Sequence, residues 1–314
     1  MLFHEYFDDW VHLYKVGTIR QVTLDKYLTT AGTLKNIAPT LQLKNLDRRE
    51  YQLIISKYAE THARQTVIDF NTQLRAAVLD AVDDGLLEKN PCRKVAIGGN
   101  QQKKRKEKFL NIYEVEKLLG VLDMENPIRN GKRKYYAGEI DIFNYDWLIY
   151  LALKTGLRFA ELMALSKGDF DFDNMTLSVS KTLNYKENKG VEKRTKTCSS
   201  IRTIAISQEI ADKFKVLLAD YGDNELIFAT NGQRVFNSTG NNRLEFLCKK
   251  AGITPISIHG LRHTHASILL YNGVSLHSIS KRLGHSKVSI TQDVYSHIID
   301  ELQQKDDALI RSVL

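Results

Sequence analysis

From Phe3 to about Asn90 the chain has little choice but helix. Gly and Pro are scarce there, so few positions supply the left-handed or fixed-φ geometry that turns require. Phe3, Phe7, Trp10 and Tyr14 recur at spacings of four, three and four, which places them on one stripe of a helical period. Core packing is the plain reading of such aromatics. The clearest helix begins near Thr61 to Ala63 and carries Phe70, Leu74, Val78 and Val82 on one face. Gly85 can cap it, and Asn90-Pro91 closes the segment. A small helical bundle over residues 1–100 is predicted.

Residues 101–108, Q-Q-K-K-R-K-E-K, hold five basic side chains and one acid. Such a run is either a solvated linker or a phosphate contact. Both can hold at once, through Lys103, Lys104, Arg105 and Lys106, and the domain boundary is placed here. In residues 109–314 a helix is expected from Ile112 to Asp123, with Val115, Leu118, Leu119 and Leu122 inward. A polar loop with Lys132, Arg133 and Lys134 should follow from Asn126 to Gly138. Phe143, Trp147, Leu148, Leu151 and Ala152 then mark a helical face that ends at Thr155-Gly156.

Beyond Leu165 the period becomes strand-like, with Met175 to Ser180 and Ile201 to Ile206 as the clearest runs. Lys181 to Arg202 contains seven basic residues and two acids, a composition suited to a hairpin laid against phosphates. Helical patterning then returns. Ser207 caps a helix through Ala219, Leu226-Ile227-Phe228 is a short extended run, and a helix from Arg243 to Ala251 should bury Leu244, Phe246, Leu247 and Cys248.

At 314 residues, 43% of them hydrophobic, the chain can bury two cores. No apolar run reaches the length of a membrane span, and the acidic, amphipathic start does not read as a signal peptide, so an intracellular, cytoplasmic protein is expected. Cys92, Cys198 and Cys248 are odd in number and far apart, against both a disulfide framework and a zinc site. A net charge of +8 and a pI near 9.2 favour a polyanionic partner.

Two motifs carry chemistry. T-G-L-R-F-A-E-L puts Arg158 just after a helix-ending Gly and at the start of a new helix, where the helix dipole opposes it. Gripping an anion and pairing with Glu161 at i+3 are the two readings of that position. A second stretch reads I-H-G-L-R-H-T-H-A-S, then L-G-H-S-K, then T-Q-D-V-Y-S-H, so that His259, Arg262, His285 and Tyr295 fall within 37 residues. His259 and Arg262 are three apart and share a helix face. An Arg fork matches phosphate oxygens, a His shuttles a proton near neutral pH, and a Tyr hydroxyl can act as a nucleophile. His263 and His265 point apart at spacing two, so packing or support of neighbouring groups is expected of them rather than a metal pair. Tyr295 taken alone would be a packed aromatic.

The order T-G-x-R-x-x-E-L, then H-x-x-R, L-G-H and a Tyr ten residues later resembles boxes I and II of the tyrosine recombinases, or phage integrases. The resemblance is strong over residues 109–297 and looser over the N-terminal bundle. It implies a mainly α protein with a small β-hairpin or sheet: a helical, SAM-like core-binding domain followed by an α+β catalytic domain. The two would clamp duplex DNA. Tyr295 would attack a scissile phosphate to give a 3′-phosphotyrosine and a free 5′-hydroxyl. Arg158 and Arg262 would hold the non-bridging oxygens with His259 and His285 assisting, and no cofactor is required.

In the family a β-hairpin Lys protonates the leaving oxygen. The match R-T-K-T-C-S-S-I-R-T-I points to Lys196, with Lys189 and Lys193 close by. Lys193 and Arg194 are also candidate DNA contacts. Four protomers on two duplexes are implied, as is an accessory DNA-bending or directionality factor. The amphipathic tail from Ile298 to Leu314 would dock on a neighbouring subunit or pack on its own domain. Many relatives begin with a further arm-binding domain, so this chain either uses core sites alone or is a shortened form. The expected activity is site-specific recombination that integrates or excises a phage or mobile element in a bacterial or phage-infected cell. Relaxation of DNA as by a type IB topoisomerase, an inert DNA-binding regulator and a phosphatase are the competing readings.

Overall fold

The computed structural model describes residues 1–100, 109–135, 138–183, 191–192, 201–229, 236–285, 288–289 and 292. The chain divides into two compact units, Met1–Lys106 and Glu107–Leu314. In the first, α1 (Phe3–Tyr14), α2 (Gln21–Ile37), α3 (Arg48–Ala59) and α4 (Arg64–Asp83) enclose one core. Phe3, Phe7 and Trp10 are buried in it. Tyr14, the last residue of α1, lies outside, 46% exposed, with its ring tilted against Trp10. The aromatic tips find partners on α4: Trp10 Nε1 donates to Asp80 Oδ2 at 2.7 Å and the Tyr6 hydroxyl donates to the Ala77 carbonyl at 3.0 Å. Helix α4 buries Val67, Phe70, Leu74, Ala77, Val78 and Ala81, and Gly85 at φ +72° follows it in the left-handed turn expected of it.

The second unit is built around a helix buried on all sides. It opens with α5 (Ile112–Leu119), whose Asn111 and Glu114 cap each other's backbone N–H, and a hairpin of β1 (Arg129–Tyr135) and β2 (Gly138–Phe143). Next comes α6 (Tyr145–Thr155), in which every residue from Asp146 to Leu153 is buried. An all-round apolar helix belongs at the centre of a domain. After the single-turn α7 (Phe159–Leu162), β3 (Phe170–Asp171), β4 (Thr176–Val179) and β7 (Arg202–Ala205) make a three-stranded sheet, while β5 (Thr182–Leu183) pairs with β6 (Val191–Glu192). The two strand runs read from sequence pair with each other, Leu177 opposite Ile204 and Val179 opposite Arg202. Helices α8 (Gln208–Leu217), α9 (Asn237–Lys250), α10 (Ile258–Tyr271) and α11 (Leu276–Leu283) complete the described part. Both α9 and α10 pack on α6.

Three local expectations are corrected. The polar stretch after Asn126 is the β1–β2 hairpin rather than a loop. Antiparallel backbone pairing sustains it without apolar alternation in β1, and Phe143 ends β2 instead of opening a helix, the N-cap of α6 being Asn144. Helix α9 begins six residues before Arg243, and its buried face holds Leu244, Leu247 and Cys248 as expected but not Phe246, which points about 100° away from Leu247 round the helix. Phe246 is 55% exposed, with the Arg243 guanidinium 5.3 Å from its ring centre. Helix α5 stops at Gly120 rather than at Asp123.

Arg243 is held by a fully buried carboxylate. Asp146, with no exposed side-chain surface, accepts from Arg243 Nε at 2.7 Å and Nη2 at 2.8 Å, and from the Asp123 backbone N–H at 2.8 Å. Removing the cation alone would strand a buried carboxylate. Arg243→Met is therefore expected to destabilise this unit by about 3 kcal/mol, read as a lower urea midpoint. An unchanged midpoint would refute this assignment of Arg243.

Candidate active site

Helix α11 is short and ends at Gly284, left-handed at φ +68°. The last carbonyls of a helix have no intrahelical donor and carry the negative end of its dipole. Here three successive ones each receive an arginine from elsewhere in the fold. Arg202 Nε of β7 donates to Arg282 O at 2.6 Å, Arg262 Nη2 of α10 to Leu283 O at 2.7 Å, and Arg158 Nη2, at the N-cap of α7, to Gly284 O at 3.1 Å. Arg262, only 2% exposed, also donates from Nη1 to Gly156 O at 2.7 Å, at the C-terminus of α6. Its charge is thus held between two helix C-termini. Arg158 and Arg262, more than 100 residues apart in sequence, end on adjacent peptide groups.

Gly156 makes this approach possible. It sits at φ +69°, and a Cβ there would lie 2.7 Å from His265 Cδ2 and 2.8 Å from Leu283 Cδ2. Both the turn and the closeness of α10 and α11 require glycine.

Glu161 resolves the two readings of Arg158, because pairing and exposure coexist. The Glu161 carboxylate is buried and accepts from Arg158 Nη1 at 2.9 Å, from the Arg158 backbone N–H at 2.9 Å and from both Nη atoms of Arg202 at 3.2 and 3.0 Å. Burial pushes this carboxyl up, but the Arg202 fork and then Arg158 outweigh burial and hold it below its usual range. Arg158 keeps 38% of its side chain exposed while Arg202 keeps 5%.

His285 follows Gly284 directly, its backbone N–H donating to Ser280 O at 3.0 Å. Burial, then the charges of Arg262 and Arg158, push its imidazole down to about 4, so it is neutral at physiological pH. His259, near the start of α10 behind the Ser257 cap, is exposed, and its ring meets that of His263 edge-on at 4.7 Å. His263 is itself held below the usual histidine value by burial and by Arg262. His265 supports the site from behind. Its Nδ1 lies 2.9 Å from Leu153 O and its Nε2 accepts from Arg282 Nε at 2.9 Å, which fixes the neutral Nδ1–H tautomer. Burial and the Arg282 charge push it down to about 3.

The structure thus gathers Arg158, Arg262 and His285 at the end of α11, while His259 lies near the start of α10 with its ring against that of His263. Lys196, Tyr295, Lys103, Lys104, Arg105, Lys106, Lys193 and Arg194 lie outside the described residues. Sequence reading passed over Arg202 and Arg282. The first was one basic residue in a basic run, and the second sits three before His285 with nothing local to distinguish it. Among the described residues no group of three or more His, Cys, Asp or Glu side chains could hold a metal ion, and no helix is long and apolar enough to cross a membrane.

Two guanidiniums and a neutral imidazole thus meet at the C-terminus of α11, groups whose chemistry suits a phosphate oxyanion. Set on a mainly helical domain with a small sheet, they define the catalytic domain of a DNA strand-transfer enzyme. The chain belongs to the phage integrase family, whose model matches residues 108–301, and it is a site-specific tyrosine recombinase that cuts and rejoins DNA. It is 27% identical over 340 residues to the integrase of Staphylococcus phage L54a, an alignment covering 99% of this chain and 94% of that protein. Its fold is that of the Tn1549 transposon integrase, solved in complex with a circular intermediate DNA, with a TM-score of 0.77, 19% identity and coverage of 98% and 99% of the two chains. It is also similar to lambda integrase, solved as a tetramer bound to a Holliday junction, with a TM-score of 0.65, 17% identity and coverage of 91% and 78%.

Two outcomes follow for the site. With His265 and His285 titrating in the fold at about 3 and about 4 against an ordinary 6.5, the unfolded chain takes up protons that the folded chain refuses as pH falls from 6.5. Stability is complete above that value and drains away below it. The melting temperature should drop steadily from pH 6.5 to pH 4, less steeply in His265→Asn, and a flat parental profile would count against this. Gly156→Ala should lower the midpoint of thermal unfolding by several degrees, because left-handed strain alone is about 1–2 kcal/mol and two side-chain contacts under 3 Å must also be relieved.

Proposed function

We propose that Arg158, Arg262, His259 and His285 receive one scissile phosphate of duplex DNA and that Tyr295 attacks it. The Tyr295 hydroxyl oxygen bonds to phosphorus as the bond to the 5′ oxygen breaks, leaving a 3′-phosphotyrosine. Lys196 gives a proton to the departing 5′ oxygen, so a free 5′-hydroxyl is released. Attack by the 5′-hydroxyl of another strand reverses the step and frees Tyr295. One phosphodiester replaces another, so no energy source is consumed.

The observation that carries this reading is the meeting of Arg158 and Arg262 on adjacent carbonyls of α11. Their fixed donors are in place before charge develops on the phosphoryl oxygens, which is where preorganised electrostatics lower a barrier most. His285 is neutral at physiological pH. A phosphate beside it would offset the arginine charges and raise its pKa, making it a better donor as the reaction proceeds.

The remaining roles follow the same reading. The helical unit of residues 1–100 binds core-type DNA. Lys103, Lys104, Arg105 and Lys106 contact the DNA backbone, with Lys193 and Arg194 on phosphates beside the cut. Four copies assemble on two duplexes, the tail from Ile298 docks on a neighbour, and an accessory DNA-bending factor sets direction. The setting is the nucleoid of a bacterial or phage-infected cell.

A nicked suicide substrate carrying the attachment site tests the core of this. The nick lets the short 5′ fragment diffuse away and traps the covalent complex. Parental protein should shift to a DNA-linked band on a denaturing gel, and Tyr295→Phe should bind the same DNA and give none. An adduct that survives in Tyr295→Phe would remove Tyr295 as nucleophile.

A further inference from the structure

Glu161 holds two arginines with a single negative charge, and the two are differently placed. Its Oε1 accepts from Arg158 Nη1 at 2.9 Å and Arg202 Nη1 at 3.2 Å, and its Oε2 from the Arg158 backbone N–H at 2.9 Å and Arg202 Nη2 at 3.0 Å. Arg202 approaches as a two-pronged fork, is 5% exposed and is pinned through Nε to Arg282 O at 2.6 Å. Arg158 touches the same carboxylate with one guanidinium nitrogen and stays 38% exposed. A bidentate, desolvated pair is the stronger of two competing pairs. The carboxylate is therefore matched chiefly by the buried arginine, and the surplus unit of positive charge stands on the exposed one.

We propose that Arg202 is a positioning residue for strand cleavage: by neutralising Glu161 it leaves the charge of Arg158 uncommitted, so that Arg158 can take a phosphoryl oxygen. Glu161 alone would fix Arg158 in place and cancel it. Glu161 together with Arg202 fixes Arg158 in place and does not cancel it. The arrangement needs a third element to hold Arg202, and Arg282 supplies it. Its main-chain carbonyl takes Arg202 Nε, while its side chain is bound to His265 Nε2 and to Ala205 O at 2.8 Å. Strand β7, which carries both Arg202 and Ala205, is thereby tied to the end of α11 at the same place as the two site arginines.

This rests on the reading of Arg158 as a phosphate ligand, and the test separates the two by a probe that needs no chemistry from Tyr295. Affinity for inorganic phosphate is measured by calorimetry on the full chain for the parent, Arg202→Met and the double variant Arg202→Met/Glu161→Gln, alongside single-turnover cleavage of the suicide substrate. Arg202→Met leaves Arg158 and Glu161 as an isolated, mutually cancelling pair. Phosphate affinity and cleavage rate should both fall at least about tenfold. The double variant removes the competing carboxylate and should return both to within about threefold of the parent, although it has lost more native hydrogen bonds. A purely structural role for Arg202 predicts the reverse, with the double variant at least as impaired as the single one.

Arg202→Gln, which keeps hydrogen-bonding capacity and loses the charge, gives the same comparison if Arg202→Met does not fold. Parental phosphate affinity in Arg202→Met, or a double variant no better than the single, overturns the proposal. Should the phosphate pattern hold while the parent forms no covalent adduct, it is the assignment of Tyr295 that fails and not this one.

Discussion

The Arg262 guanidinium, almost sealed from water, is the constraint on which the catalytic unit depends. A buried cation is tolerable only when its donors are matched, and here they end on Gly156 O and Leu283 O. Both carbonyls belong to helix C-termini, where the backbone has spare acceptors and a negative dipole end. The same two bonds dictate tertiary structure. They require α6 and α11 to finish side by side, with α10 crossing behind them, and only a glycine at 156 permits the distance. One buried guanidinium is thus both the partner of two helix C-termini and a tie between three helices.

That dual role explains why so much positive charge can be packed together. Arg158 and Arg202 share one carboxylate, Glu161, and Arg158, Arg202 and Arg262 each also end on a main-chain carbonyl at the C-terminus of α11, which offsets part of their mutual repulsion. The positive potential is felt by the histidines nearby, since His263, His265 and His285 all titrate below the ordinary value, with burial first and arginine charge second.

What was legible in the chain follows from how local each signal is. Arg158 beside its helix-ending glycine, the His259-to-Arg262 spacing and the Gly284-His285 pair are set by short-range geometry, and their order along the chain carried the family. Helical stripes such as Phe3, Phe7 and Trp10 were legible because period alone defines them. Arg202 and Arg282 were not, because their importance arises only when β7 meets α11, 80 residues apart. In the sequence Arg202 is one of seven basic residues in a run. The β1–β2 hairpin escaped notice for a related reason. Its strands are held by backbone pairing, and residues such as Lys132 in β1, paired with Asp141 of β2, carry no apolar alternation. Phe246 is exposed because the helical period that buries Leu244, Leu247 and Cys248 turns it to another face, where Arg243 lies against its ring.

The geometry also bears on how a phosphate could be sensed rather than merely bound. His285 is connected to Arg158 and Arg262 by two peptide groups and by electrostatics, so any anion that draws on the arginines also relieves the pressure on the imidazole. An anion there would raise the pKa of His285 toward its ordinary value. His265 is held differently, its two ring nitrogens engaged by Leu153 O and Arg282 Nε, so that its neutral tautomer is fixed by hydrogen bonds as well as by burial.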